Sequence, residues 1–140
     1  MLKTAVVGVR GVGRGHVQAL TRHARANLVA VADIDTTAAS ALVEAVDARV
    51  CASLDELLDD VDGLDAVIIA TPHHLHAPMS LAALERGLHV YVEKPIAIRI
   101  SDADRMVEAA DRAQRVLAVG HQYRPYAGNR RLKQIIDSGA

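Results

Sequence analysis

Two stretches of this chain read as buried parallel strands that end abruptly in reactive residues. Asp65-Ala-Val-Ile-Ile-Ala-Thr71-Pro72 and His89-Val-Tyr-Val-Glu93-Lys94-Pro95 are short apolar runs, each stopped by polar residues and a proline. An uninterrupted apolar run of this length suits a strand covered on both faces, and such strands belong to parallel sheets sandwiched between helices. In an open α/β sheet, ligands sit beyond the carboxyl ends of the strands. A lysine delivered there, between Glu93 and Pro95, is a candidate for chemistry rather than for solvation.

The rest of the chain repeats the pattern. Strand-like segments fall at residues 3–9, 27–33, 49–52, 65–70, 89–93 and 116–119, with helical spacing between them. Ala38, Ala41, Leu42 and Ala45 form one such helical stripe. Ser53 and Glu56 fit a capping box, in which hydroxyl and carboxylate each satisfy an unpaired N–H at a helix start. A helix is predicted over residues 77–86, with Pro78 tolerable in its first turn and Gly87 ending it. Ser101 with Asp104 is expected to open the next helix, whose apolar face is Met106, Val107, Ala110 and Ala113. The last helix carries Leu132, Ile135 and Ile136 on one side and closes at Gly139. Six strands alternating with helices predict an α/β, doubly wound parallel sheet with right-handed crossovers and strand order 3-2-1-4-5-6.

Composition narrows the functional classes. The 140 residues suffice for one domain with a real core. Half of them are apolar, with three Tyr and no Phe or Trp, so the core is aliphatic. A net charge of −1 with interspersed signs argues against nucleic acid or an anionic membrane as partner. The single Cys51 allows no internal disulfide and suits a reducing compartment. Met1-Leu2-Lys3 runs directly into a strand and no apolar run approaches the ~20 residues of a membrane span; the expected location is cytoplasmic. His73, His74, His76 and His121 lack a Cys or clustered carboxylate beside them, so no metal site is predicted.

Between the first strand and helix lies Gly11-Val-Gly13-Arg14-Gly15-His16. Glycines here permit a tight turn and close approach of a pyrophosphate to backbone N–H groups at a helix N-terminus. Gly11 and Gly13 fit the first two positions of G-x-G-x-x-G, while the third falls on His16, with glycine one residue early at Gly15. Asp33, at the end of the second strand, stands 22 residues after Gly11, near the spacing expected for an acid that bonds an adenosine ribose. Its charge would repel a 2′-phosphate, and residue 34 is Ile rather than a phosphate-pairing Arg. The cofactor expected is NAD; NADP stays as the lesser alternative because Arg10 and Arg14 stand close by and could pair with a phosphate. The plainer reading of Asp33 is a helix N-cap, which Asp35 or Thr36 could also supply. His16 lies either near the pyrophosphate or on the helix surface, and Cys51 is expected to be an inert core residue.

With Thr71-Pro72-x-x-x-His76 and Glu93-Lys94-Pro95 both present, the chain resembles the glucose–fructose oxidoreductase, myo-inositol dehydrogenase and MocA-like family (Gfo/Idh/MocA). The similarity runs from residue 3 to about residue 138. It implies a Rossmann dinucleotide-binding unit over 1–122, then a connecting helix over 123–140 that leads to a second, substrate-binding domain absent from this sequence. It implies hydride transfer between nicotinamide and a hydroxyl-bearing carbon of a sugar, cyclitol or other polyol. Lys94 would bond the substrate hydroxyl and assist its proton transfer. Gln122 and Arg124 occupy positions that lie near nicotinamide and substrate, and the expected cofactor contacts are Gly11, Gly13, Arg14, Gly15, Asp33, Thr71, Pro72, His76, Glu93, Lys94 and Gln122; His76, as the motif histidine, would also hold the loop after Thr71-Pro72. Alone, this chain is expected to turn over little substrate, and the apolar stripe of its last helix is expected to be covered by the missing domain, a second copy or a partner. The alternatives are a non-catalytic NAD-binding regulatory or interaction module, and an assembly fragment with a vestigial nucleotide site. A short-chain dehydrogenase is disfavoured because Tyr91, Tyr123 and Tyr126 have Pro95, Ala127 and Arg130, not Lys, four residues on.

Overall fold

The computed structural model describes residues 1–124 and 126–139. Its strands are β1 (Leu2–Val7), β2 (Ala26–Ala32), β3 (Arg49–Cys51), β4 (Ala66–Ile69), β5 (His89–Val92) and β6 (Leu117–Val119). Its α-helices are α1 (Val12–Leu20), α2 (Thr36–Val43), α3 (Leu54–Asp60), α4 (His76–Glu85), α5 (Ile100–Ala113) and α6 (Ala127–Asp137), with a 3-10 turn, His73–Leu75, leading into α4. All strands are parallel and lie in the order β3-β2-β1-β4-β5-β6, as the alternation predicts.

Period-two alternation along the strands divides the core between the two faces of the sheet. Ala5, Val7, Val67, Ile69, Val90 and Val92 pack against Leu57 of α3, Leu84 of α4 and Met106 of α5. Val6 and Val31 face the other way, onto Val17 of α1 and Ala39 and Val43 of α2. No Tyr is among the buried residues of either cluster, and the many alanines allow helices to sit close to the sheet.

Helix boundaries follow local chemistry. Ser53 Oγ accepts from Glu56 N at 3.1 Å, but the Glu56 carboxylate accepts from Ala52 N at 2.7 Å, one residue before the expected partner. Gly87, with φ of 75°, closes α4. At α5 the prediction needs correcting: the helix starts at Ile100 from an extended Arg99, and no side chain caps it. Ser101 and Asp104 therefore lie inside the helix. Its buried face is Met106, Ala109 and Ala110, whereas Val107 is exposed. Leu132, Ile135 and Ile136 of α6 are exposed. Among the described residues, no helix is long and apolar enough to cross a membrane.

Candidate functional site: a strand-end cleft beside Lys94

The ladder registers align the strand ends. Val7 pairs with Ala32 and with Ile69, Ile69 with Val92, and Val92 with Val119. The residues just beyond these pairs, Gly8, Asp33, Ala70, Glu93 and Gly120, therefore lie along one edge, with Thr71 and Lys94 one step further out. The glycine turn and Lys94 share that edge.

The turn itself is built differently from its prediction. β1 stops at Val7, and Gly8 takes φ of 83°, a left-handed conformation that L side chains rarely adopt. A Cβ on Gly8 would stand 2.7 Å from the Ala70 oxygen, and one on Gly13 would stand 1.8 Å from the Gly8 oxygen. Those two glycines are the tight-turn and close-packing positions of the fingerprint, so the motif reads Gly8-Val9-Arg10-Gly11-Val12-Gly13 with Arg10 in the middle position. The third glycine is not displaced to Gly15, which meets no neighbouring atom. Gly11 is the N-cap of α1, and neither a capping side chain nor a first-turn acid satisfies the helix's leading N–H groups. Such an end is a ready site for an anion. Arg14 and Gly15 are exposed on that first turn.

Asp33 secures the turn from the neighbouring strand. Its carboxylate accepts from Val9 N and from Asp35 N, both at 2.9 Å. Asp35, not Asp33, caps α2 by accepting from Ala38 N at 3.0 Å, and also pairs with Arg10. The Ala38 N–H is the chief reason the Asp35 carboxyl titrates below its ordinary value. A cleft of about 640 Å³ opens over these ends, lined by Gly8, Arg10, Asp33, Ile34, Thr71 and Pro72 among others. Gly8 and Arg10 were not among the residues expected there. A strand stopping at Val7, rather than running to residue 9, was the missing signal.

The second part of the edge surrounds Lys94. Glu93 is buried beneath α1, and its Oε1 lies 2.8 Å from His16 Nε2 while its Oε2 has no partner among the described residues. His16 thus turns inward, away from the helix surface, and packs edge-on to the Tyr91 ring with centroids 5.3 Å apart. Burial, then the nearby Glu93 charge, pushes the Tyr91 hydroxyl above its ordinary pKa. Lys94, the second residue beyond β5, is exposed. The Lys94–Pro95 peptide is cis, the one such bond among the described residues. Thr71 Oγ1 makes only a 3.6 Å contact to Met79 Sδ.

His76 requires a correction. It was expected both to touch cofactor and to hold the loop after Thr71-Pro72; it is fully buried with both ring nitrogens occupied, Nε2 by the Thr71 carbonyl at 2.9 Å and Nδ1 by the Pro95 carbonyl at 2.7 Å, which suits the loop-holding role and not the contact. It supports the cleft wall from behind. Gln122 and Arg124 lie exposed in the turn after β6. Cys51 is buried, and burial raises its thiol pKa, as an inert core residue requires. Among the described residues, no group of three or more His, Cys, Asp or Glu is arranged to hold a metal ion.

Comparison with known proteins matches this geometry. The model for an oxidoreductase family with an NAD-binding Rossmann fold fits residues 2–121. Inositol 2-dehydrogenase 3 of Saccharopolyspora erythraea is 36% identical over 140 residues, covering 99% of this chain and 41% of that enzyme. The WlbA dehydrogenase of Bordetella pertussis, solved with NADH and UDP-GlcNAcA, is 34% identical with a TM-score of 0.89, covering 99% of this chain and 43% of that one. Scyllo-inositol dehydrogenase of Lactobacillus casei, solved with NAD(H) and scyllo-inositol, is 25% identical with a TM-score of 0.89, covering 99% and 42%. The chain spans about two fifths of the length of the curated relatives it matches. With its six-stranded order, its Gly8–Gly13 turn and this family model all in agreement, the chain belongs to the Gfo/Idh/MocA oxidoreductase family, as its NAD-binding Rossmann domain.

Proposed function

We propose that residues 1–122 form the dinucleotide-binding half of an NAD-dependent dehydrogenase acting on a hydroxyl carbon of a sugar or cyclitol, with 123–140 as a connecting helix. The observation that carries this is the alignment on one sheet edge of an uncapped helix N-terminus, the Asp33 carboxylate and the exposed Lys94 ammonium. The residues present fit a dinucleotide. The Gly8–Gly13 turn and the leading N–H groups of α1 would receive its pyrophosphate, and Asp33 its adenosine ribose. Thr71, Pro72, Glu93 and Gln122 stand towards the nicotinamide end, where Glu93 Oε2 is a buried acceptor lacking a donor among the described residues.

Bound there, the nicotinamide would accept hydride from the substrate carbon. Lys94, in its neutral amine form, would orient the reacting hydroxyl and accept its proton as hydride leaves, becoming the ammonium, and Arg124 would contact the rest of the substrate. NAD is favoured over NADP because two carboxylates, Asp33 and Asp35, meet at the ribose end, and Arg10 is already engaged by Asp35. The relatives that carry inositol or nucleotide-sugar names support a polyhydroxylated substrate.

Fluorescence titration of this chain with NADH and NADPH tests the cofactor assignment: NADH is expected to bind at least tenfold more tightly, and Asp33→Asn to erase the difference. Binding of neither would overturn it. In NAD-coupled oxidation of a polyol panel by the whole protein, Lys94→Ala is expected to lower kcat by about a hundredfold or more, the usual scale of a missing acid–base group.

A further inference from the structure

The two hydrogen bonds of His76 carry information about its charge. A carbonyl oxygen can only accept a hydrogen bond, and both ring nitrogens face carbonyls, Nδ1 to Pro95 at 2.7 Å and Nε2 to Thr71 at 2.9 Å. Neutral imidazole has a single N–H. One of the contacts would then set a nitrogen lone pair against an oxygen lone pair in a site closed to solvent. Flipping the ring offers no relief, because it replaces both nitrogens by C–H groups and leaves both carbonyls unpaired.

We propose that His76 is a doubly protonated imidazolium which bonds both carbonyls at once, clamps the loop after β4 to the loop after β5, and so positions Lys94. Burial by itself disfavours a charge on the ring, because the cation gives up its hydration. Two charge-assisted bonds to carbonyl dipoles nonetheless favour the cation. No described carboxylate pairs with His76; the proton is held by backbone dipoles alone.

The ionisable groups around it bear on this balance from each packed element. His73, on the preceding turn, lies edge-on at 5.5 Å between centroids, with His74 beside it. Arg99 and Asp102, around the start of α5, line a small cleft with those two histidines and Ala77. Lys94 adjoins Pro95, while Glu93 points away to His16 on the other face of the sheet. Protonated His73, Arg99 and Lys94 oppose the charge on His76, and Asp102 supports it. The consequence is positional: the carbonyl held by Nδ1 belongs to the residue directly after Lys94, so the clamp fixes the direction from which the ammonium leaves the backbone. Its importance for catalysis, unlike the protonation state, rests on the reading of Lys94 given above.

The test is ¹⁵N NMR of the uniformly labelled chain, with histidine ring nitrogens assigned by through-bond correlation and no substitution. At pH 7 both His76 nitrogens are expected in the N–H chemical-shift range; one unprotonated ring nitrogen would overturn the imidazolium. On raising pH, loss of the second proton is expected to move the Ile96 amide and the Lys94 side-chain resonances along the same titration curve. Unmoved Lys94 and Ile96 resonances overturn the clamp. Should the ring keep both protons wherever the chain is folded, His76→Gln gives the readout, since one amide nitrogen cannot span both carbonyls. It is expected to shift Lys94 and Ile96 while the resonances of β1 to β3 stay in place, and an unshifted Lys94 again refutes the clamp. NADH titration of the same sample separates this outcome from failure of the cofactor assignment.

Discussion

The two ends of the strand edge are finished in opposite ways. Over β1, β2 and β3 the polar groups are already committed: Asp33 holds Val9 and Asp35, Asp35 holds Ala38 and Arg10, and the turn is closed by backbone contact between Gly8 and Gly13. Over β5 and β6 the groups nearest the proposed chemistry are uncommitted. Lys94, Gln122 and Arg124 are exposed, and Glu93 Oε2 has no partner among the described residues. A preorganised end binds without first ordering itself, which reduces the entropic cost of recognition. An uncommitted end keeps its donors and acceptors for a reacting molecule. Under the proposed function, one fold supplies a fixed anchor and an available reaction point a few strands apart.

Substitutions can break or sharpen this contrast. Gly13→Ala is expected to have the largest effect, about 3 kcal/mol or more in urea denaturation, because its Cβ would overlap the Gly8 oxygen and neither backbone can yield. Gly15→Ala, in open space on the same helix, should change stability by less than about 1 kcal/mol and towards greater stability. Equal losses at the two positions would refute the Gly8–Gly13 assignment of the turn. His16→Ala leaves the buried Glu93 carboxylate without its one bond and is expected to cost about 2 kcal/mol, the scale of a hydrogen bond to a charged group. Retained stability there would mean that the Lys94 end is as loosely held on its inner side as on its outer.

Two pH effects follow at smaller scale. The Cys51 thiol and Tyr91 hydroxyl both hold their protons more tightly in the fold than in the unfolded chain. Their contribution is therefore fully present below the unfolded pKa values, 9.0 and 10.0, and is lost as pH rises through them towards the raised folded values. Denaturation midpoints should fall between pH 8 and pH 10.5, and Cys51 should resist an aromatic disulfide reagent at pH 8 until urea unfolds the chain. Asp35 acts in the opposite direction, since its folded pKa is lowered from 3.8. Its contribution is present above that value and disappears as pH falls through the folded one, a minor loss because the carboxylate is still partly open to solvent. Asp35→Asn should flatten the acid limb slightly in a pH series of thermal melts.

Much of this was legible in the residues because it depends on periodicity. Apolar runs at 65–70 and 89–93 could be buried only inside a parallel sheet, and that placed Thr71 and Lys94 on one edge. The glycine register was harder to read. Val9 continues the apolar pattern of β1, so periodicity alone carries the strand two residues too far and moves the turn from Gly8 to Gly11. What stops the strand is tertiary: Gly8 N bonds Ala32 O, and the chain then bends away. Helix α5 misled for a related reason. Ser101 and Asp104 have capping chemistry, yet Arg99, which does not, begins the helix because the loop after Pro95 delivers the chain there in an extended conformation. The inward turn of His16 had no local signal at all, since its partner Glu93 lies 77 residues away.

The contact of bare backbone on bare backbone at Gly13 and Gly8 has a mechanical consequence. With no side-chain torsions between them to absorb displacement, the first helix and first strand behave as one stiff lever. His16 rides on that lever a single turn further along, and Glu93 is fastened to His16. Any push that phosphates exert on the leading amides is thereby delivered to the residue next to the lysine.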